Sequence, residues 1–370
     1  IASWTSDESE VLIPALQRGL VWKPRQVELL WDSILRGFPI GSFMLSDIVN
    51  KEGLGKYYLM DGQQRYNAIS IGFNTVKAAR AVLWIDLLPP SSKNSTRSFW
   101  IKATTTPHPW GYKNDDDANR LNTAEKRKAL KEFNLKGNIY NDHFSLAETW
   151  PIEANLPIPL FCLLKATEKT SDADNFVKEV FAEFNSTDFS YRFYFIEKIK
   201  HSNVALTYLR DVLFPAFNAL KDYMITCNHL PKEVMETETT EETMAQTTLE
   251  VLFTRLNTGG TAISRDDLNY SAIKAYWPSI KEVNDHLAEK YMSPSKLVML
   301  AFRLALTSEN DKSFMGEMTI KQIRSAAIKT DERDKIESLY DNNQLETILN
   351  KVDEWLGAKG DSVLRTPNIL

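Results

Sequence analysis

Between residues 13 and 86 the apolar positions change period several times. In KPRQVELLWDSILRGF, Val27, Leu30, Trp31, Ile34 and Leu35 recur three and four residues apart, which predicts a helix with one buried face. Pro24 stands near its start and Gly37 just past its end, the asymmetry that helices favour. GSFMLSDI and KYYLM then read as short strands, and QQRYNAISIGF as a helix burying Tyr66, Ile69 and Phe73. AVLWIDLL and SFWIKATTT are two further strand candidates on either side of the polar loop PPSSKNSTR. Residues 1–106 are therefore expected to form a compact α/β core.

Beyond it the texture changes. HPWGYKNDDDANR reads as a loop, NTAEKRKALKEF as a helix opened by a capping box between Asn122 and Glu125, and PIEANLPIPLF as proline-rich and irregular. From residue 172 onward the pattern is mainly helical: DADNFVKEVFAEF, FYFIEKIKHSNVALTYLRDVLFPAFNAL, TLEVLFTRLN, SPSKLVMLAFRLALTS and LETILNKVDEWLG. Ser293 followed by Pro294 marks a helix start. Leu297, Leu300 and Leu304 are expected in a helical core. The acidic stretch 236–248 is the expected linker, dividing an insertion and helical region at 107–245 from a helical subdomain at 246–370. The fold class expected is mixed α/β, or α+β.

Composition narrows the partners. With 43% hydrophobic and 25% charged residues the chain is an ordinary globular sequence, and no apolar run reaches the ~20 residues that span a bilayer. No membrane partner is expected. Two cysteines, Cys162 and Cys227, cannot build a disulfide framework, and no signal-peptide pattern stands at the start, so the cytoplasm is the expected compartment. A net charge of −5 argues against a surface built to coat phosphate backbones, although a local basic patch is compatible with it. The sequence starts at Ile1 rather than Met, which suggests a fragment of a longer protein.

The candidate chemistry lies at YYLMDGQQRYNAIS. A strand ending in Asp61-Gly62 and turning into a helix presents that helix's first unpaired N–H groups, at the positive end of its dipole. Arg65 adds a planar fork suited to phosphate, and Gln63 and Gln64 can orient water or read a polar edge without charge. The plainer reading has Asp61 capping the helix, Gly62 making the turn, and the amides and arginine solvated. Two further segments carry similar groups. In IPALQRGLVWKPRQ, Gln17 and Arg18 precede Trp22, where a stacked Arg–Trp pair and a second anion-binding arginine are both open. In FTRLNTGGTAISRDDL, the turn Asn257-Thr258-Gly259-Gly260 is rich in N–H groups yet lacks the Lys-Ser/Thr of a P-loop. The five histidines show neither HExxH nor zinc spacing, and no GxSxG elbow exists.

Taken in order, IPALQRGLVWKPRQ, GSFMLSD, YYLMDGQQR and FTRLNTGGTAIS resemble the N-terminal domain of GmrSD-type modification-dependent restriction enzymes, over most of residues 10–275. Phosphorothioate-sensing phage-defence proteins are similar over the same region, and HPWGY also resembles a segment of some members. The resemblance implies a ParB/sulfiredoxin-like core followed by a mainly helical subdomain. That core binds and often hydrolyses a nucleoside triphosphate (NTP) with Mg²⁺. By motif, Asp61, Gly62, Gln63, Gln64 and Arg65 would form the phosphate and metal region, with Asp61 as the Mg²⁺ carboxylate. Asp61, Gln63, Gln64 and Arg65 would be catalytic. Gln17, Arg18, Asn257, Thr258, Gly259 and Gly260 would complete the nucleotide site.

Complete members carry a C-terminal HNH nuclease with paired histidines. Here the last histidine is His286, so three alternatives stand: the nuclease lies in a further segment, it is a separate subunit, or none exists. The function implied is an NTP-driven switch of a prokaryotic restriction or phage-defence system. The alternative is a non-hydrolysing sensor of modified DNA, in which Trp22, Trp84 and Trp110 would cage a base. A homo-oligomer is compatible with either.

Overall fold

The computed structural model of the 370-residue chain describes residues 11–12, 22–47, 57–77, 79–90, 96–113, 120–132, 144–230, 270, 273, 277–307, 329–341 and 343–356. These residues fall into two compact units, one ending at Leu230 and the other beginning at Tyr270. The fold class is mixed α/β, as expected.

The first unit holds two small sheets. In one, the strand order is β1 (Val11–Leu12), β3 (Tyr57–Asp61), β2 (Phe43–Asp47), β7 (Cys227–Leu230). The β2–β3 pair is antiparallel and the two outer pairs are parallel. In the other sheet the order is β5 (Ile101–Thr105), β4 (Ala81–Asp86), β6 (Pro157–Pro159), antiparallel throughout. The α/β core expected to close at residue 106 does not: β6 and β7 lie beyond it and complete both sheets. One hydrophobic cluster runs from Val11 to Phe217.

Helix α1 (Pro24–Leu35) fits its sequence closely. Val27, Leu30, Trp31, Ile34 and Leu35 are all buried, and Gly37 follows the end with φ +71°. The buried side also carries Glu28 and Asp32, one turn apart. Glu28 accepts a bond from Arg97 Nη2 at 2.9 Å and one from the Ala103 N–H at 3.1 Å. Asp32 accepts from the N–H groups of Ser98 and Phe99 at 2.9 and 2.7 Å. The helix thus fixes the segment that leads into β5. Burial pushes the Glu28 carboxyl up to about 7, against the pull of the Lys102 ammonium and the Ala103 N–H. A third buried carboxylate, Asp86 at the end of β4, accepts from the N–H groups of Leu88, Asn155 and Leu156. It ties the turn after β4 to the segment before β6.

Several expectations are corrected. PIEANLPIPLF is not irregular: it forms β6 and enters α4 (Leu160–Lys169). Its prolines are tolerated because β6 is an edge strand, where a missing N–H costs little. The helix over QQRYNAISIGF, α2 (Gln63–Ile71), buries Ala68 and Ile69, whereas Tyr66 and Phe73 are half-buried. The capping box opening α3 (Thr123–Glu132) forms as expected, with reciprocal Asn122 and Glu125 bonds of 2.6 and 2.9 Å. After α5 (Ala173–Asn185) the long helical stretch is broken into shorter pieces. These are α6 (Arg192–Lys200), α7 (Asn203–Tyr208), a π turn at Leu209–Leu213, α8 (Phe214–Asn218) and a 3₁₀ turn at Ala219–Asp222. Ser202 caps α7 through its hydroxyl, and that signal stood in the sequence.

The second unit packs α9 (Pro278–Lys290), α10 (Pro294–Leu306), α11 (Thr330–Asp341) and α12 (Gln344–Trp355) around Trp277, Tyr291, Leu297, Phe302, Ile336 and Leu345. Leu297 is core as expected, Leu300 is half-buried, and Leu304 faces solvent. Tyr340 donates to Asn284 Oδ1 at 3.0 Å, and Asn284 Nδ2 donates to the Pro294 carbonyl, closing a buried polar link. The linker expected at 236–248 and the helix expected over TLEVLFTRLN lie outside the described residues. Among the described residues no helix is long and apolar enough to cross a membrane.

Two stability measurements follow from the buried charges. Glu28→Ala and Arg97→Ala each strand a buried partner, so each is expected to cost ~3–5 kcal/mol, read as a lowered urea midpoint. A loss under ~1 kcal/mol would refute the pinning role. His108 offers a pH test. Burial first, then Arg120 and Lys126, push its pKa down to about 4 from 6.5. A depressed histidine contributes stability that is full above pH 6.5 and lost progressively as pH falls toward 4. Between pH 7 and pH 5 the wild type should therefore lose more stability than His108→Phe, and equal losses would contradict the assignment.

Candidate functional site

The DGQQR segment occupies the β3-to-α2 junction expected of it. Asp61 is the last residue of β3, and Gly62 is the N-cap of α2 with φ +97°. An L side chain adopts that conformation with strain, and a Cβ on Gly62 would also lie 2.6 Å from the Phe43 ring. Close seating of the turn on β2 therefore demands glycine twice over. The first intrahelical bond is Tyr66 N–H to Gly62 C=O at 2.8 Å, and Gly62 itself has no side chain to cap the helix.

The Asp61 carboxylate meets Arg65. Arg65 Nη2 donates to Asp61 Oδ2 at 3.2 Å, and Nη1 donates to the Ile40 carbonyl at 3.0 Å. Its guanidinium carbon stands 5.4 Å from the Phe43 ring centroid. The Arg65 side chain is 19% exposed and that of Asp61 46%. The arginine is thus held on three sides, by a carboxylate, a carbonyl and an aromatic ring. Gly41, at φ +85°, leaves room for it: a Cβ there would overlap Nη1. Gln63 and Gln64 occupy the first turn of α2 and are half-buried.

Arg65 has five N–H donors, and two are used in bonds to described residues. A guanidinium oriented in this way beside a helix N-terminus offers further donors to an anion. Asp61 supplies a single carboxylate. Among the described residues no group of three His, Cys, Asp or Glu side chains is arranged to hold a metal ion.

Gln17, Arg18, Asn257, Thr258, Gly259 and Gly260 lie outside the described residues. The aromatic cage expected for the DNA-sensor alternative is corrected: Trp84 and Trp110 are core residues, 0% and 2% exposed, and Trp22 is half-buried. The Trp84 indole N–H is already bonded to Thr104 Oγ1 at 3.0 Å. Burial pushes the Cys162 thiol well up, consistent with a packing role for that cysteine. What the sequence reading missed at this site is Ile40, Gly41 and Phe43. The signal available was the second glycine in RGFPIGSF, four residues after the Gly37 that ends α1.

The sequence profile described as "GmrSD restriction endonuclease, N-terminal domain" matches residues 1–274. The chain belongs to this family. The match spans the first unit and the DGQQR junction, and it places the chain in a restriction system. The family's nuclease is a further domain of related proteins. No curated protein matches the chain.

The two glycines give a test of this geometry. Gly62→Ala combines left-handed strain with overlap on Phe43, and should cost ~2–4 kcal/mol by chemical denaturation. Gly41→Ala should displace Arg65, seen as loss of protection at the Arg65 Nη–H groups by NMR. An unchanged Arg65 signal in a folded Gly41→Ala would refute the contact.

Proposed function

We propose that this chain is a nucleoside-triphosphate-binding and hydrolysing switch of a restriction system, governing a nuclease that lies outside it. The observation that carries the reading is the Arg65 guanidinium held beside the N-terminus of α2, whose N-cap is left-handed Gly62. A polyphosphate brings the negative charge that such a helix end lacks. Arg65 contributes its remaining N–H donors to phosphate oxygens. Its bonds to Ile40 and Asp61 keep the fork oriented, so little side-chain entropy is lost on binding.

The chemistry is attack of water on the γ-phosphorus. The bond to the β–γ bridging oxygen breaks, the diphosphate leaves, and the water's proton ends on the released phosphate. Positioning and charge supply most of the acceleration in such transfers. Gln63 or Gln64 orients the water through its amide. Mg²⁺ enters as part of the substrate, with Asp61 as the carboxylate near it. By motif, the reading adds Gln17, Arg18, Asn257, Thr258, Gly259 and Gly260 as nucleotide ligands. The compartment that suits this work is the cytoplasm, where NTPs and restricted DNA both occur.

The test is phosphate release from each NTP with Mg²⁺. Arg65→Ala should lower release by about 10²-fold or more, with folding verified by circular dichroism. Arg65→Lys should recover only part of it, because a point charge cannot replace the fork. A folded Arg65→Ala that turns over at the wild-type rate would refute the site. No release from wild type with any NTP would refute the switch and leave the DNA-sensor alternative standing.

A further inference from the structure

The chain from Gly37 to Phe43 joins the end of α1 to β2, and little of it is buried. Gly37, Phe38, Pro39 and Gly41 are exposed, and Ile40 and Ser42 are half-buried. Gly37 and Gly41 flank Phe38-Pro39-Ile40 with φ +71° and +85°, conformations in which the backbone pivots without a Cβ to hinder it. A segment held by discrete bonds rather than by burial lies at the low-stability end of a fold, where local opening costs least.

Two elements hold this segment. From α2, Arg65 Nη1 donates to the Ile40 carbonyl at 3.0 Å, and Gly62 seats on the Phe43 ring. From the stretch after Asp222, the Tyr223 hydroxyl donates to the Phe38 carbonyl at 2.6 Å. The Phe43 N–H donates to the Thr226 carbonyl at 2.9 Å, and Asn228 Nδ2 reaches Ser42 Oγ at 3.4 Å. Parallel pairing then runs from Phe43 and Cys227 to Ser46 and Leu230. Among the described residues β7 pairs with β2 alone, and Cys227, Asn228 and His229 are exposed. It is also the last described element of the first unit, which ends at Leu230.

We infer that residues 37–43 form a strap that carries the state of the Arg65 site to β7, where the chain leaves the first unit. The inference rests on the triphosphate reading given above and names its output. A phosphate on the outer donors of Arg65 holds the guanidinium from a further side. The bond to Ile40 is then made for a larger fraction of the time, and the strap stays where Tyr223, Thr226 and Asn228 meet it. Ordering one end lowers the cost of ordering the other, which couples two places without a change of architecture. Release of the phosphate loosens β7 again. Coupling in binding is reciprocal, so whatever frees the β7 end weakens polyphosphate binding. Tyr223 is thus a positioning residue for Arg65, acting through Phe38 and Ile40.

Hydrogen exchange of the full chain, read by mass spectrometry, tests this. The probes are inorganic triphosphate and each of the four NTPs, all with Mg²⁺. Tyr223→Phe removes one hydroxyl from a half-buried ring, so the fold is kept, and melting curves check it. Without a probe, Arg65→Ala should speed exchange in 38–46 and 223–230 by about fivefold or more, with 81–86 and 101–105 unchanged. A bound probe should slow 223–230 in the wild type. In Tyr223→Phe that slowing should vanish, and the probe should bind about fivefold more weakly. Wild-type exchange of 223–230 in Arg65→Ala would overturn the strap whatever the chain binds. A probe that binds through Arg65 yet leaves 223–230 unchanged would overturn the strap and keep the triphosphate reading. No binding of any probe, with 223–230 loosened in Arg65→Ala, would overturn that reading and leave the link between Arg65 and β7 standing.

Discussion

One helix face organises the first unit. On its buried side α1 carries two carboxylates, Glu28 and Asp32, and the indole of Trp31. The carboxylates hold the Arg97–Ala103 segment through backbone N–H groups and the Arg97 guanidinium. The indole N–H reaches the Ala68 carbonyl of α2 at 3.0 Å, and its ring lies where a side chain on Gly72 would stand. The first grip sets where β5 begins and the second sets where α2 ends. Desolvating Glu28 opposes folding, as its raised pKa shows, so the arrangement persists only because each oxygen is met by a donor. An apolar side chain could fill the same volume, but it could not specify which backbone amides lie against it.

The candidate site inherits its precision from this frame. With α2 fixed by Trp31 at its middle, its N-terminus is fixed by Gly62 over Phe43. Arg65 then joins α2 to the segment before β2 through the Ile40 carbonyl. The DGQQR junction is therefore a structural joint as well as the proposed anion site. The two roles compete for different atoms of one guanidinium. The bonds to Asp61 and Ile40 use one N–H of each terminal nitrogen, and a phosphate would use others.

Much of this was legible in the sequence, and the reason differs by element. Helix α1 was readable because its apolar spacing, Pro24 and Gly37 agree; α3 because Asn122 and Glu125 form a box that depends only on local spacing. The strand–Gly–helix junction was readable for the same reason. Strand β6 was not, since two prolines argue against a strand unless it is known to lie at an edge, and edge status is a property of the whole sheet. The carboxylates Glu28, Asp32 and Asp86 were invisible as structural groups. Their partners lie more than 60 residues away for Glu28, Asp32 and the Asn155–Leu156 side of Asp86, and no periodicity encodes them. The role of Trp84 was misassigned because sequence shows an aromatic but not its burial.

The net charge of −5 and the proposed phosphate site at Arg65 are reconciled by where the charges are neutralised. Most acids of the first unit that the structure describes are engaged: Glu28 by Arg97, Asp61 by Arg65, Glu125 by Lys113, Glu183 by Lys169. A chain can be acidic in sum and still present uncompensated donors locally, because opposite charges within a few ångströms cancel at the distance of a ligand. Such a surface can hold a small anion at one point while repelling a long phosphate backbone elsewhere. For the nucleotide-binding role proposed above, that distribution would serve selectivity better than a basic face.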